Sequence, residues 1–416
     1  MQLHRRTVLA LALATGLAAP SVAIAQDSDT IKIGVLATLE GAFTVLGEDG
    51  LRGAMTAVDE NNGEVAGKKI EIVRGSSDAS PDSAVQAARK LVEQEGVKVL
   101  VGPLSGDEGI AIKEYAKTQP DVTFLNGTSA AQDTTLREPA ENFFRFSTDG
   151  AQWMAGLGEY AFNEKGYRNV ATVAEDYSFP YTQVFGFMAE FCKEGGKVPS
   201  KSWVPIGNKD YSSVIATIPA DVDAIYVALG GADAVNFLSQ YQQAGGTAPL
   251  IGGSITVDQT VLTSKGRIHD ILIGTPSAGP IADSLDTPAW NAFVEDYKKQ
   301  DGAFPSPSLF AHGYYVNMKA LLAALEEVNG DVSDGGEKLR AALSDLTVDT
   351  PTGEVSVDDN RNAIANIYIT EVAEREDGTL YNKLVETVEQ VNQTLGIPQD
   401  EFMALGQVSR DNPSCE

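Results

Sequence analysis

Histidine and cysteine are scarce in this 416-residue chain, which contains three His and two Cys. Only His269 and His312 lie beyond residue 25, and no group of His or Cys has the spacing of a zinc site. We interpret both histidines as structural. No G-x-G-x-x-G follows the first predicted strand and no G-x-x-x-x-G-K-[ST] occurs, so nucleotide chemistry is not indicated. The sequence therefore predicts no metal and no cofactor.

The chain also lacks the motif of a common serine hydrolase. There is no G-x-S-x-G, because Gly102-Pro103-Leu104-Ser105-Gly106 has a different spacing. The adjacent acids Glu175 and Asp176 lie in a predicted loop, where we interpret them as solvated. We therefore expect a protein that is not an enzyme. An exported hydrolase or transferase that uses Ser105 is the less favoured alternative.

Long apolar runs are missing beyond the N-terminus, since no later stretch reaches the about 18 uncharged residues of a membrane-spanning helix. Residues 1–25 combine a basic start at Arg5 and Arg6, the apolar run Thr7–Ala19, and a final Ala23-Ile24-Ala25. This pattern predicts a signal peptide cleaved before Gln26, and therefore export. Both the twin-arginine route and the general secretory route fit it.

Positive charge is in short supply, because 31 Lys and Arg stand against 58 Asp and Glu, a formal net charge of -27. The signal peptide carries two Arg and no acid, so its removal would take the net charge to -29. Such a chain repels polyanions, and we expect it to bind neither nucleic acid nor an anionic membrane. In an oxidising compartment, Cys192 and Cys415 favour one disulfide over two free thiols.

What the chain does contain is an alternation of short apolar runs and amphipathic segments, which predicts an α/β fold of two doubly wound parallel-sheet lobes. The predicted strands are Ile31–Leu36, Lys69–Val73, Val97–Val101, Val122–Leu125, Phe143–Phe146, Asn169–Ala174, Val198–Val204, Ala224–Leu229, Leu250-Ile251, Ile271-Leu272-Ile273 and Ala365–Val372. The predicted helices begin at Leu51 and Pro81 and cover Tyr181–Lys193, Ala234–Ala244, Pro288–Lys299, Phe310–Val328 and Gly335–Leu343. Residues 376–416 are mixed and partly polar, without a clear pattern.

The stretch Val97–Ala131 suggests where a ligand would bind. Its two strands end in the small-residue loops Gly102–Gly106 and Asn126–Ala131. Carboxyl-end loops of parallel strands border a crevice, and Gly, Ser and Thr allow close approach of backbone N–H groups and hydroxyls to a small anion. A helix that starts after Ser105 adds its positive end. We predict a crevice for a small carboxylate, with ordinary strand-to-helix turns as the alternative.

Several motifs, in order, resemble a known family. The chain carries I-K-I-G-V-L-A-T-L-E-G-A-F-T-V-L-G-E-D-G-L-R-G-A, then V-L-V-G-P-L-S-G, F-L-N-G-T-S-A-A-Q-D-T-T-L and F-F-R-F-S-T-D, and later A-E-D-Y-S-F-P-Y-T-Q-V-F-G-F and I-Y-V-A-L-G-G-A-D-A. Together they resemble the periplasmic binding proteins of the leucine/isoleucine/valine-binding type. These are the solute receptors of ABC importers, and they do no chemistry on their ligand.

The resemblance implies two lobes, three crossings between them, and a ligand enclosed by hinge closure. It places the crossings near Ser147, Gly274 and Asp359. Lobe one would comprise residues 27–147 and 275–359, and lobe two residues 148–274 and 360–416. The implied protein is a periplasmic monomer whose partners are a small organic carboxylate and the membrane permease of an importer.

The resemblance also implies site residues. Ser105 would give its hydroxyl to the ligand carboxylate, and Ser129, Ala130 and Gln132 would contact the same end. Tyr177 and Phe179 would cover the ligand from lobe two. Four further positions are those where the family's contact residue is exchanged or compensated: Phe43, Leu46, Ala232 and Ser254.

Ser254 is the departure with most consequence, because amino-acid binders carry there a Glu that pairs with the ligand ammonium. A buried ammonium needs a compensating carboxylate, and Ser supplies none unless Glu175, Asp176 or Asp233 replaces it. The aromatic residues near the crevice suit a planar or apolar ligand. The sequence thus leaves open an amino acid, an aromatic acid, or an amide or urea-like solute.

Overall fold

The computed structural model describes residues 30–264 and 268–415, which form two α/β lobes, each built on one sheet. The predicted signal peptide and its cleavage site lie outside these residues. Within them, no helix is long and apolar enough to cross a membrane.

The first lobe is built on a six-stranded sheet. Its strands are β1 (Thr30–Thr38), β2 (Glu64–Val65), β3 (Lys68–Ser77), β4 (Val99–Val101), β5 (Thr123–Leu125) and β6 (Phe143–Phe144). They lie in the order β2-β3-β1-β4-β5-β6, parallel except for the short β2. The strand order reverses between β1 and β4, and a ligand crevice opens at such a switch point, outside the carboxyl ends of the strands.

The second lobe is built on a nine-stranded mixed sheet. Its strands are β7 (Asn169–Glu175), β8 (Lys197–Val204), β9 (Ala224–Ala228), β10 (Leu250–Gly252), β11 (Pro276–Gly279), β12 (Val348–Thr350), β13 (Gly353–Val357), β14 (Ala363–Glu374) and β15 (Leu380–Val391). The order is β12-β13-β14-β11-β10-β9-β7-β8, with β15 paired to β14. Strands β7 to β11 are parallel, and the order reverses between β7 and β9, which makes a second switch point.

Thirteen α-helices are described in residues 30–264 and 268–415. They are α1 (Thr44–Glu60), α2 (Pro81–Arg89), α3 (Gly106–Ala116), α4 (Leu157–Asn163), α5 (Ser178–Phe191), α6 (Ser212–Thr217), α7 (Gly231–Gln243), α8 (Gln259–Leu262), α9 (His269–Leu272), α10 (Pro288–Tyr297), α11 (Leu309–Glu327), α12 (Glu337–Asp345) and α13 (Gln399–Ala404). Helices α1 and α11 pack together on the first sheet, and α5 packs on β7 and β9 of the second. The switch-point loops of both sheets therefore face one cleft.

The helix starts follow from local capping. The Ser80 side chain accepts from the Ser83 N–H and Pro81 takes the first helical position, as the sequence predicts for α2. Ser105 begins α3 with a capping box: its Oγ accepts from the Glu108 N–H, and its own N–H donates to Glu108 Oε2 at 2.9 Å. The start of α3 at the cleft is thus fixed by the sequence S-G-D-E.

One predicted strand is wrong, and a long strand of the C-terminal region was not predicted. Ile271-Leu272-Ile273 is not a strand, because His269–Leu272 forms the short helix α9 and the strand of this region is β11. A three-residue apolar run fits a helical turn as well as a strand. In the C-terminal region, the alternation over Leu380–Val391 forms the long edge strand β15, antiparallel to β14. Most of its exposed residues are polar or charged, so the sequence of this segment does not show the apolar run of a buried strand.

The chain segments at the expected first and third crossings run side by side, since Arg145 and Asn362 form an isolated parallel bridge. Strand β11 follows the expected second crossing near Gly274 and is hydrogen bonded to β10 and β14, so residues 276–279 still lie in the second sheet although the prediction puts residues 275–359 in lobe one. The lobe boundaries at Ser147, Gly274 and Asp359 stay predictions.

The predicted disulfide between Cys192 and Cys415 is confirmed, with 5.8 Å between the two Cα atoms. It follows the end of α5 and holds the C-terminal tail, which also contacts the second lobe through Arg410 and Asp176 and through Lys201, whose Nζ donates to the Pro413 carbonyl at 2.7 Å. The covalent link joins residues 223 positions apart.

We expect the double variant Cys192→Ala/Cys415→Ala to lower the free energy of unfolding by about 2–4 kcal/mol, because the disulfide closes a long loop in the unfolded chain. Urea denaturation of the wild type and the variant measures this difference. Reduction of the wild type should reproduce the loss, and the same reductant should leave the variant unchanged. A wild type whose stability is insensitive to reduction would contradict the expectation.

Candidate functional site

The two lobes touch at the cleft, so the structure is a closed form. The Ser178 N–H, at the start of α5, donates to Asp107 Oδ1 in α3 at 3.1 Å. The Gln132 N–H donates to Thr182 Oγ1 at 3.3 Å. A Cβ placed on Gly106 would lie 2.6 Å from Ser178 Oγ, so only glycine permits this approach of α3 to α5.

The closed cleft encloses a small cavity, which we call the apolar cavity. It lies where the switch-point loops of the two sheets meet, and residues of seven separated chain segments line it. The lining consists of Phe43, Leu46, Leu104, Ser105, Gly106, Thr128, Trp153, Tyr177, Phe179, Ile255 and Phe310. A mainly apolar and aromatic lining with a few hydroxyl groups is typical of a site for a small organic molecule.

Aromatic rings form the walls of the apolar cavity. The rings of Phe43 in the first lobe and Tyr177 in the second lie 6.2 Å apart between centroids. Phe179 lies 6.1 Å from Tyr177 and meets Trp153 edge to face at 5.6 Å. Offset and edge-to-face rings at these distances attract one another. Closure therefore assembles an aromatic enclosure from both lobes, which includes the predicted Phe43, Tyr177 and Phe179.

Ser105 lines the cavity as predicted, but its hydroxyl is already bonded. Its Oγ donates to the Ala79 carbonyl at 3.1 Å and accepts from the Glu108 N–H at 3.5 Å. Burial raises the pKa of Glu108, and hydrogen bonds from Ser77, Ser105 and Thr38 oppose this. The hydroxyl would have to turn from Ala79 to donate to a carboxylate, whereas the positive end of α3 beside it is available without rearrangement.

Thr128 is a site residue that the sequence analysis missed. Its Oγ1 is buried, lines the apolar cavity, and has no hydrogen-bond partner in residues 30–264 and 268–415. Its methyl group packs closely on Gly313 of α11, where a Cβ would lie 2.2 Å away. The sequence did contain a signal for Thr128, since this residue carries a hydroxyl in the same small-residue loop as Ser129. An unpartnered buried hydroxyl in a cavity wall is a ready contact for a polar ligand group.

Ser129, Ala130 and Gln132 lie outside the lining of the apolar cavity in the described chain. The Ser129 carbonyl accepts from Asn126 Nδ2 at 2.9 Å, and its side chain packs on Gly109 of α3. The Ala130 carbonyl accepts from the Gly150 N–H at 2.8 Å. These carbonyl groups already accept hydrogen bonds from the protein, so the role of the three residues in binding stays a prediction.

Two predicted residues of the second lobe, Ala232 and Ser254, lie outside the lining of the apolar cavity in the described chain. Ala232 is exposed in the first turn of α7, and its neighbour Gly231 approaches Leu46 instead, with a φ of 49°. Ser254 is buried but accepts from Gln183 Nε2 at 2.7 Å, and its neighbour Ile255 lines the cavity. Leu46 itself lies in the lining, as predicted.

No carboxylate lines the apolar cavity in the part of the chain that the structure describes. Asp176 pairs with Arg410, and Asp233 accepts from the Gly207 N–H at 2.6 Å. Glu175 accepts from the Gly230 N–H at 3.1 Å, and burial raises its pKa well above the usual range, which favours the neutral acid. The three acids considered as partners for an ammonium therefore lie outside the cavity wall.

We expect Gly106→Val to hold the protein open, because the added side chain would meet Ser178 and Phe179 across the cleft. Small-angle X-ray scattering should show a larger radius of gyration than the wild type, with the melting temperature of the lobes little changed. Ala232→Val is the matched control, since it places the same side chain at an exposed position at the start of α7. Identical scattering from wild type and Gly106→Val would contradict the closed arrangement.

Comparison with known proteins agrees with this architecture. A family model described as "Periplasmic binding protein" matches residues 30–379. Leu/Ile/Val-binding protein homolog 6 of Brucella melitensis is 27% identical over 380 residues, which cover 90% of this chain and 96% of the relative.

Solved structures show the same similarity. The ABC transporter substrate-binding protein of Sphaerobacter thermophilus has a TM-score of 0.78 at 27% identity, covering 88% of this chain and 99% of its own. A solute-binding protein of an ABC transporter from Rhodopseudomonas palustris, solved with 3,4-dihydroxybenzoic acid, has a TM-score of 0.81 at 26% identity and the same coverage. The resemblance and the fold class predicted from the sequence are both confirmed: the chain belongs to the periplasmic binding protein family.

Proposed function

We propose that this protein is the periplasmic solute receptor of an ABC importer and that it encloses a small aromatic or otherwise apolar carboxylate between its lobes. The observation that carries the proposal is the apolar cavity, whose walls are aromatic and whose polar groups are the hydroxyls of Ser105, Thr128 and Tyr177 and a helix start. The receptor would act as a monomer, close around its solute, and deliver it to a membrane permease.

The ligand's carboxylate end is assigned to the first lobe. Thr128 Oγ1 and the start of α3 at Ser105 and Gly106 lie on that side of the cavity. Hydrogen-bond donors at a helix N-terminus compensate the desolvation of an anion. The ligand's apolar body is assigned to the rings of Tyr177, Phe179 and Trp153, which offer a large contact area.

An amino acid fits this cavity less well than an aromatic acid. Its ammonium would be buried, and the cavity wall of the described chain offers no carboxylate to pair with it. An unpaired buried charge costs several kcal/mol. The similar structure bound to 3,4-dihydroxybenzoic acid supports an aromatic acid, whereas the name of the Brucella relative points to leucine, isoleucine or valine. We place the aromatic carboxylate first and keep the amino acid, amide and urea-like solutes as alternatives.

Catalysis by Ser105 is not favoured by the geometry. The Ser105 hydroxyl donates to the Ala79 carbonyl, which is not a base. His312 bonds to Thr352 Oγ1 at 2.9 Å, and burial lowers its pKa to about 3. His269 bonds to the Gly378 carbonyl at 2.8 Å. Both histidines are thus engaged elsewhere, and we propose a receptor without enzymatic activity.

A thermal-shift screen of benzoates, phenylacetate, leucine, phenylalanine, benzamide and urea tests the proposal. We expect an aromatic carboxylate to stabilise the protein without being consumed, by about 2.7 kcal/mol at a hundred times its Kd, since it binds only the folded state. Strong stabilisation by leucine alone would favour the amino-acid alternative. Product formation that is lost in Ser105→Ala would overturn the receptor reading.

We expect Thr128→Val to weaken binding of the best aromatic carboxylate by roughly ten- to a hundredfold, because a hydrogen bond to a charged group contributes about 1.5–3 kcal/mol. Isothermal titration calorimetry measures the change. Thr134→Val is the matched control: its Oγ1 is also buried without a partner in the described chain, but it lies outside the cavity. Equal losses in both variants would show that Thr128 does not contact the ligand.

A further inference from the structure

The last described residues, 405–415, form a segment that we call the C-terminal tail. It follows α13 and ends at the disulfide between Cys415 and Cys192. No helix or strand is described within it. Chain ends of this kind fray unless other contacts hold them, so the position of the tail depends on a few specific contacts.

The C-terminal tail is held at both of its ends. At its start, Arg137 Nη2 donates to the Gly406 carbonyl at 2.9 Å, and Gln407 Nε2 donates to Asp133 Oδ2 at 2.8 Å. At its end, the disulfide holds the chain beside the end of α5. Because the tail is attached at both ends, the residues between them stay close to one surface of the second lobe at high effective concentration.

Arg410 lies between the two attachments and binds Asp176. Its Nε donates to Asp176 Oδ1 at 2.7 Å, and its Nη2 pairs with the other carboxylate oxygen. Such a bidentate pair fixes the direction of a carboxylate as well as its charge. The Tyr181 hydroxyl donates to the same carboxylate, and Trp203 Nε1 donates to the Arg410 carbonyl at 3.3 Å. Asp176 is thereby held by the tail on one side and by α5 on the other.

Asp176–Phe179 form what we call the cover segment, because it borders the apolar cavity from the second lobe. The rings of Tyr177 and Phe179 line the cavity, and the Ser178 N–H donates to Asp107 Oδ1 across the cleft at 3.1 Å. These residues follow Asp176 directly along the backbone. A side chain that is fixed at the first position therefore restricts the orientations available to the two rings.

We propose that Arg410 is a positioning residue for solute binding: it fixes Asp176 and so keeps the rings of Tyr177 and Phe179 in the orientation that encloses the solute. This inference rests on the proposed function, because the two rings are taken to cover the solute. Arg410 itself lies outside the lining of the cavity in the described chain. Its effect is therefore on how long the solute stays bound, since a cover segment that is less restrained opens more often.

Hydrogen exchange tests the positioning without any solute. The wild type and Arg410→Ala are compared by mass spectrometry of the peptide that covers residues 175–182. The N–H groups of Asp176 and Tyr177 are hydrogen bonded, so their exchange measures opening of the cover segment. We expect exchange in Arg410→Ala to be about three- to tenfold faster, because local opening costs less free energy once the bidentate pair is removed.

Two further variants separate positioning from a general effect of charge. Arg410→Lys should restore only part of the protection, because an ammonium keeps the charge but not the bidentate geometry. Lys165→Ala is the matched control, since it removes an ion pair with Glu371 of β14, also in the second sheet. It should leave the exchange of residues 175–182 unchanged.

Stopped-flow fluorescence with benzoate as the probe measures the effect on binding, because Trp153 lines the cavity. We expect Arg410→Ala to raise the dissociation rate about three- to tenfold and to change the association rate less than about twofold. Cys192→Ala/Cys415→Ala frees the end of the tail and should also raise the dissociation rate. The triple variant should release benzoate no faster than the faster of these two, since both changes remove the same restraint on Asp176.

The results separate this inference from the proposed function. If exchange and benzoate dissociation are the same in the wild type and Arg410→Ala, the positioning role is wrong and the receptor proposal stands. Faster exchange with unchanged dissociation, an equal effect of Lys165→Ala, or additive effects in the triple variant would also overturn the role of Arg410. If exchange is faster but the wild type binds leucine and no benzoate, the aromatic-acid proposal is wrong, and leucine replaces benzoate as the probe of the same kinetic effect.

Discussion

The closed structure depends on one buried cation, the Arg145 guanidinium, which lies at the first crossing between the lobes. It is fully buried. Its nitrogens donate to the Ala131 carbonyl at 2.7 Å, to Asn362 Oδ1 at 2.7 Å and to Thr135 Oγ1, and Asp149 Oδ2 is 3.6 Å away. Burial lowers the pKa of Arg145 to about 10, so it remains charged at neutral pH. A buried charge is tolerated only when its donors are satisfied, so these segments are held in one arrangement.

The hydrogen bonds of Arg145 also fix the orientation of the loop after β5, and so determine which of its atoms face the apolar cavity. The Ser129 and Ala131 carbonyls point toward Arg145, and the Ala130 carbonyl bonds to the first crossing at Gly150. The loop therefore uses its backbone acceptors to join the lobes and leaves the Thr128 hydroxyl for the apolar cavity. The sequence could indicate that this loop borders the site, because the loop follows a buried strand and is rich in small residues. It could not indicate which residue of the loop faces the cavity, because the loop carbonyls are held by Arg145, which lies after β6 in another part of the chain.

Other features also divide into those that local sequence could predict and those that depend on distant parts of the chain. Strand rhythm, the cap at Ser80 and the pairing of two cysteines were predictable, because each depends on local chemistry or on a single choice of partner. Trp153 and Phe310 were not, because they reach the cavity from chain segments whose own patterns resemble ordinary core. Ala232 and Ser254 show the limit of carrying a position over from a family. Ser254 is one residue away from Ile255, which lines the cavity, and a shift of one residue turns a side chain to another face. Ala232 is exposed, and its neighbour Gly231 is not in the lining either.

In the proposed receptor, ligand choice would follow from the different polarity of the two sides of the apolar cavity. On the first-lobe side, the start of α3 and the Thr128 hydroxyl can stabilise an anion within a wall that excludes water. On the second-lobe side, Tyr177 and Phe179 offer ring faces and no formal charge. Aromatic rings alone do not compensate the free-energy cost of desolvating an ammonium. Such a site would therefore discriminate between solutes by the charge at their two ends. The acidic groups nearest to it are either paired, as Asp176 is with Arg410, or held neutral by burial, as Glu175 is. In the proposed receptor, a second charge on the solute would therefore find no free carboxylate among Glu175, Asp176 and Asp233.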